Sequence, residues 1–197
     1  AWVDIQGITA HPMSSKGQLL NPILVAHDFI GMLDRGQTPE FTEKTEGFVW
    51  VNGIQGGPAK CRVSLKLRDH SLKRYEEKKT LIRAIVDCLR VRYPRAKINL
   101  TIEDVYGNIA DAIKPENSAC IDMLRRAMEI EQVTAKDIAM RGGTDGSFIS
   151  TQGIPTPNYF TGAHNFHSAC EFMPMSSWLK SLAVTLRLVE LAAGVTK

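Results

Sequence analysis

From Ser71 to Arg92 the chain carries a long amphipathic pattern, set between two stretches of strict apolar–polar alternation. Leu81, Ile82, Ile85, Cys88 and Leu89, with Tyr93, recur at helical spacing. Ser71 is placed to cap the helix, Arg74 stands where a capping box would have an acid, and Pro94 ends the run. Ahead of it, Cys61, Val63, Leu65 and Leu67 share one face of Lys60–Arg68. Behind it, Ile98, Leu100 and Ile102 alternate with Asn99, Thr101 and Glu103 in a strand that continues to Tyr106. A helix flanked in this way lays its apolar face on a sheet holding both neighbours.

The earlier residues supply the rest of that sheet. Trp2–Ile8 reads as a half-buried strand. A helix from Leu19 to Leu33 presents Leu20, Ile23, Leu24, Ala26, His27, Ile30 and Leu33, with Pro22 in its first turns and Gly36 past its end. A strand from Gly47 to Gln55 turns through Gly56-Gly57-Pro58 into Lys60–Arg68 as a hairpin. The order strand, helix, strand, strand, helix, strand predicts a split βαβ unit over residues 1–110, an antiparallel four-stranded sheet covered on one face by two helices.

Asn108–Pro115 reads as a boundary. Beyond it the pattern predicts helices over Glu116–Glu131, Gly146–Gln152 and Ser176–Ala193, the last capped by Ser176 or Ser177 and apolar at Leu179, Leu182, Ala183, Leu186, Val189 and Leu191. Short strands are expected at Asp137–Met140 and Asn158–Thr161. So few strands do not make a complete α/β layer, and they are expected to need a sheet supplied from elsewhere. With Trp2 already in a strand, the chain is expected to begin inside a larger design.

Composition narrows the function classes. A hydrophobic content of 44% is globular rather than disordered, and a net charge of +3 with interleaved acids argues against a nucleic-acid groove. The four cysteines, Cys61, Cys88, Cys120 and Cys170, include no CxxC pair, so neither a zinc knuckle nor a disulfide framework is expected. No apolar run has membrane-span length. The expectation is a reduced, cytoplasmic protein.

The chemistry is concentrated between Arg141 and Glu171. Arg141-Gly142-Gly143-Thr144-Asp145-Gly146, Pro155-Thr156-Pro157-Asn158-Tyr159-Phe160-Thr161-Gly162 and His164-Asn165-Phe166-His167 followed by Glu171-Phe172 are polar, glycine-rich turns alternating with short apolar runs. These motifs closely resemble those of the peptidase T group, the tripeptide aminopeptidases of the M20 metallopeptidase family. Gly7-Ile8-Thr9-Ala10-His11-Pro12, Leu67-Arg68-Asp69 and Ile102-Glu103-Asp104-Val105-Tyr106-Gly107-Asn108 resemble that family's lid motifs in the same order.

The resemblance implies a ferredoxin-like, α+β lid and dimerisation domain at 1–110, inserted in an α/β catalytic domain whose C-terminal part is 111–197. The N-terminal half of that domain, with a His-x-Asp motif, a bridging aspartate and a Glu-Glu pair, is expected to be missing. It further implies a zinc aminopeptidase acting on short peptides, two zinc ions per complete site, and a homodimer formed through the lid. By position, His167 resembles a zinc-binding histidine, and His11 resembles a lid histidine that steadies the oxyanion, often in the partner's site. Arg141 and Arg68 are candidates to grip the substrate carboxylate, and Asn158 to shape the pocket wall.

Other readings of these residues stay open. His11 can be a turn residue before Pro12, Arg141 can pair with Asp145 and Arg68 with Asp69, and the Gly-Gly pair can be a plain turn. Cys170 stands where the resembled group usually has a second histidine, which bears on substrate preference. The chain alone is expected to be inactive. The alternative is a non-catalytic dimerisation or peptide-binding module derived from such an enzyme.

Overall fold

The computed structural model describes residues 1–195, which form two compact units: Ala1–Asp104 with Ala139–Gly142, and Val105–Ile138 with the chain from Gly143 onward. The first unit contains β1 (Trp2–Gln6), α1 (Pro22–Gly31), β2 (Phe48–Gly56), β3 (Lys60–Arg68), α2 (Leu72–Arg92) and β4 (Lys97–Thr101). Its strands lie in the order β2-β3-β1-β4, each antiparallel to its neighbour. Alternation decides the faces. Val3, Ile5, Val49, Cys61, Val63, Leu65 and Ile98 turn inward to meet Val25, Ala26 and Phe29 of α1 and Ile82, Ile85, Val86 and Leu89 of α2. Each of the larger side chains contributes about 1.5–3 kcal/mol by leaving water. On the other face Arg62 forks onto Asp4 at 2.6 and 2.8 Å, and Lys66 lies 5.5 Å over the Trp50 ring.

Several boundaries and faces differ from expectation. β1 stops at Gln6, and Ile8 instead makes a lone bridge to Leu20. β4 ends at Thr101 rather than Tyr106 because Thr101 pairs with Trp2, where β1 begins and the ladder runs out. α1 starts at Pro22, since the Asn21 side chain accepts from the Ile23 N–H and caps the helix there. Its buried face is Pro22, Val25, Ala26 and Phe29, while Ile23, Leu24 and His27 are exposed. In α2, Leu81 and Cys88 are exposed and Val86 is buried. Where apolar residues fill adjacent positions, spacing alone does not select the buried stripe.

Two carboxylates fix α2 to the sheet. The Asp69 side chain has no exposed surface and accepts from the Ser71 N–H (2.9 Å), Arg74 Nε (3.1 Å) and Lys78 Nζ (2.8 Å). Burial raises its pKa, but the Lys78, Ser71 and Arg74 bonds outweigh burial and leave it below the usual carboxylate range. At the next position of α2, the buried Lys79 Nζ donates to Asp104 (2.9 Å), which also accepts from Tyr75 Oη (2.6 Å). Those bonds lower Asp104, while burial and then the Asp104 contact push Tyr75 up to about 12.

The second unit contains α3 (Ile109–Ala112), α4 (Ala119–Ile130), α5 (Asp145–Thr151) and α6 (Met175–Ala192). Its core is small: Leu124, Ala127 and Met128 of α4 against Val184 of α6, bordered by Val133, Tyr159, Phe160, Leu188 and Leu191. Arg187 Nε bonds Glu131 at 3.0 Å, and Tyr159 Oη meets Thr185 Oγ1 at 2.6 Å. α6 is preceded by Pro174 with no side-chain cap, so neither Ser176 nor Ser177 caps it. Of its expected stripe, Leu179, Leu182, Leu186 and Val189 are exposed. The expected strands at Asp137–Met140 and Asn158–Thr161 are not formed, because neither segment has a ladder partner among the described residues.

Asp69→Ala should destabilise the first unit by about 3 kcal/mol, read by denaturant unfolding, because it leaves Lys78 without its buried partner. Asp4, Asp69 and Asp104 are all depressed, so the stability they confer is complete above about pH 4 and is lost as pH falls through their folded values. Tyr75 is raised, so its contribution holds below about pH 10 and is lost as pH climbs through about 12. A stability plateau between those limits, measured by unfolding across pH, is the expected profile.

Candidate functional site

His11 caps the short 3-10 turn Pro12–Ser14, and its Nδ1 accepts from the Met13 N–H at 3.2 Å. In the neutral ring this bond places the proton on Nε2, so the exposed imidazole presents a donor outward. The loop that carries it is rooted at one end of the sheet: Gly7 N–H donates to Ala59 O, and Gln6 pairs with Lys60, the first residue of β3.

Arg68 and Arg141 lie at the opposite end of β3. Arg68 pairs across the ladder with Phe48, and the Arg141 guanidinium stands 5.3 Å over the Phe48 ring. Arg141 also donates to Thr42 Oγ1 at 2.5 Å and to Pro39 O at 3.3 Å. These partners are a hydroxyl, a carbonyl and an aromatic face. Asp69, the acid next to Arg68, is occupied by Ser71, Arg74 and Lys78. The length of β3 separates the two ends by about 25 Å. Within one copy the fold groups Arg68 with Arg141 and roots the His11 loop elsewhere.

The remaining candidates belong to the second unit. Asn158 Oδ1 accepts from Thr144 Oγ1 at 3.1 Å. Thr156 N–H donates to Ser150 Oγ at 2.9 Å, holding the Pro155–Asn158 segment against α5. A Cβ on Gly146 would come within 2.7 Å of Thr156 O, so close packing of the two motifs requires glycine there.

His167 sits at the tip of a tight loop closed by reciprocal bonds between His164 and Phe172, whose rings stack 5.1 Å apart. Its backbone is left-handed (φ 65°), an uncommon conformation for a non-glycine residue, and its N–H donates to Glu171 Oε2 at 2.8 Å. The imidazole itself is exposed. Cys170 is exposed on the same loop; its N–H donates to Ser168 Oγ, and its carbonyl accepts from Asn165.

Among the described residues no group of three or more His, Cys, Asp or Glu side chains is arranged to hold a metal ion. A catalytic zinc takes about three protein ligands, so the residues present do not fit a complete zinc site. Sequence reasoning missed Met13, which fixes the His11 tautomer, and Thr42, Pro39 and Phe48, which seat Arg141. The Met13 contact is backbone and the others lie about a hundred residues from Arg141; none had a local signal.

Residues 1–97 match the M20 peptidase dimerisation domain. A peptidase T-like protein of Yersinia pestis is 45% identical over 94% of this chain and 45% of its own length, and a peptidase T of Halothermothrix orenii is 37% identical over 98% and 47%. A solved tripeptidase of Staphylococcus aureus shares the fold, with TM-score 0.70 at 22% identity over 98% of this chain and 50% of that one. An aminopeptidase of Bacillus cereus does so with TM-score 0.68 at 17% identity over 98% and 51%. The chain spans about half the length of the relatives it matches. Related to them along nearly all of its residues, and matching the M20 peptidase dimerisation domain over residues 1–97, the chain belongs to the M20 peptidase family, alongside the proteins named peptidase T.

Proposed function

We propose that residues 1–197 are the lid (1–110) and the C-terminal catalytic segment (111–197) of a zinc aminopeptidase that removes the N-terminal residue from short peptides, tripeptides in particular. The observation that carries this reading is the 37–45% identity to peptidase T and peptidase T-like proteins over 94–98% of this chain. His167 contributes one zinc ligand. The others come from polypeptide outside these residues, as do the remaining groups of a two-zinc site. The exposed apolar side of α6 and the unpaired segments at 137–140 and 158–161 support a catalytic layer that continues beyond this chain. Four unpaired cysteines support a reducing, cytoplasmic setting, and no helix among the described residues is long and apolar enough to cross a membrane.

The chain's own groups bind and orient. The Nε2–H of His11 donates to the carbonyl oxygen as it gains negative charge, an interaction stronger in the transition state than in the ground state. Arg141 and Arg68 hold the peptide's C-terminal carboxylate, a charged acceptor that competes well with the neutral partners Arg141 has here. Asn158 lines the pocket wall. Because His11 is rooted at the far end of β3 from the two arginines, His11 serves the site of a second copy. The homodimer forms through the β2 edge of the sheet and the outer side of α1, where Ile54, Ile23 and Leu24 are exposed.

Three measurements test the proposal. In the full-length natural protein, His11→Ala or His167→Ala alone should lower tripeptide turnover by about a hundredfold or more. Co-expressed, the two variants should recover about half the wild-type rate per mixed dimer, since one site then has both histidines intact. No recovery would place His11 in its own copy's site. Leu24→Glu should weaken the dimer by about tenfold or more in sedimentation equilibrium. The 197-residue chain supplied with zinc should show no tripeptide hydrolysis; turnover would contradict the assignment of the missing ligands to other polypeptide.

A further inference from the structure

Residues between Ile8 and Leu20 form a closed loop that depends little on apolar burial. Its neck is the reciprocal bridge between Ile8 and Leu20, with both bonds at 2.9 Å. A Cβ on Gly7 would meet Leu20 O at 2.2 Å, so the two strands of the neck pass in direct contact. Beyond the neck, His11, Pro12, Met13, Ser14, Lys16, Gly17, Gln18 and Leu19 are all exposed. The inner bonds, Ser14 N–H to His11 O, Gln18 and Leu19 N–H to Ser15 O, and Ser15 Oγ to Pro12 O, hold the loop to itself rather than to the domain.

One side chain reaches its far half from another element. Arg95 donates through Nη1 to Gly17 O at 2.7 Å and through Nη2 to Gln18 O at 2.5 Å. A planar guanidinium suits two successive carbonyls, because both N–H groups point the same way in a fixed fork. Arg95 is itself rigidly placed. Tyr93 N–H closes on Leu89 O at the end of α2, Pro94 forbids a further turn, and Ala96 N–H returns to Tyr93 O just before β4. The anchor thus ties the loop to the corner between α2 and β4.

We infer that Arg95 is the positioning residue that fixes the His11 loop and thereby the direction in which the His11 Nε2–H points. The anchoring stands on the geometry alone; its consequence for turnover rests on the reading of His11 as the oxyanion donor. Arg95 touches no reacting atom. It acts through the Gly17 and Gln18 carbonyls.

Trypsin tests the anchor directly, because Lys16 is exposed and the bond it would cut leads into Gly17. In the full-length natural protein, Arg95→Ala should speed cleavage at Lys16–Gly17 by about tenfold, read by mass spectrometry of early digests, with cleavage after Lys66 inside β3 unchanged. Arg95→Lys, with one ammonium in place of the fork, should fall between. Tripeptide kcat should drop in the same order while KM stays within about twofold, the signature of an interaction expressed in the transition state. Unchanged Lys16–Gly17 cleavage in Arg95→Ala overturns the anchor, as does an equal rise at Lys66. Faster loop cleavage with unaltered kcat overturns its effect on His11. A wild-type protein without peptidase activity overturns the function proposed above, and the trypsin result still decides the anchor.

Discussion

Strand β3 is paired along its length, to β1 on one side and β2 on the other, and it acts as a ruler for the first unit. Its inward side chains, Cys61, Val63 and Leu65, sit at the middle of the core, so its register is set by burial. A slip of one residue would turn that row to the polar face and bring Arg62 and Lys66 inward. From this fixed strand follow the root of the His11 loop at the Lys60 end and the grouping of Arg68 with Phe48 and Arg141 at the other. A chain that must use both ends on one short peptide needs a second copy of itself, which is why dimerisation enters the proposed chemistry rather than standing beside it.

The two units are stabilised differently. The first has a continuous core of sheet and two helices, fastened by Asp69 at the start of α2 and by Lys79 with Asp104 at the chain's departure. The second rests on four buried residues and a border of hydrogen bonds. Its loops nevertheless carry specific local geometry. The left-handed His167, held by Glu171 inside the His164–Phe172 closure, is costly for the backbone to adopt and is fixed by several partners at once.

How much of this was legible in the sequence depended on whether the determining interaction was local. Period-two alternation located β3 without error and β2 to within a residue, because a half-buried strand must alternate. Ser71 and Pro94 bounded α2 for the same kind of reason: caps and breakers act within a turn. The buried faces of α1 and α6 were not legible, since apolar residues surround much of each helix and the choice among them is made by what lies opposite. The ladderless stretches at 137–140 and 158–161 show the converse, for strand-like sequence makes no strand without a neighbour. At the candidate site, position within the resembled motifs pointed to His11, Arg141 and His167, whereas residue type alone left each of them open. The Met13 amide on His11 is a local backbone contact that residue type does not mark, and the Thr42 and Phe48 seat of Arg141 and the Arg95 anchor come from tertiary contacts that leave no mark in spacing.

The central claim is that His11 of one copy serves the active site of another. A crystal structure of the full-length natural protein with a non-hydrolysable tripeptide analogue tests it most directly. The account predicts the imidazole Nε2 of a second copy's His11 at about 3 Å from the oxygen of the scissile group, with the analogue's carboxylate on Arg141. Finding that oxygen bonded to His11 of the same copy, or to no lid residue at all, would contradict it.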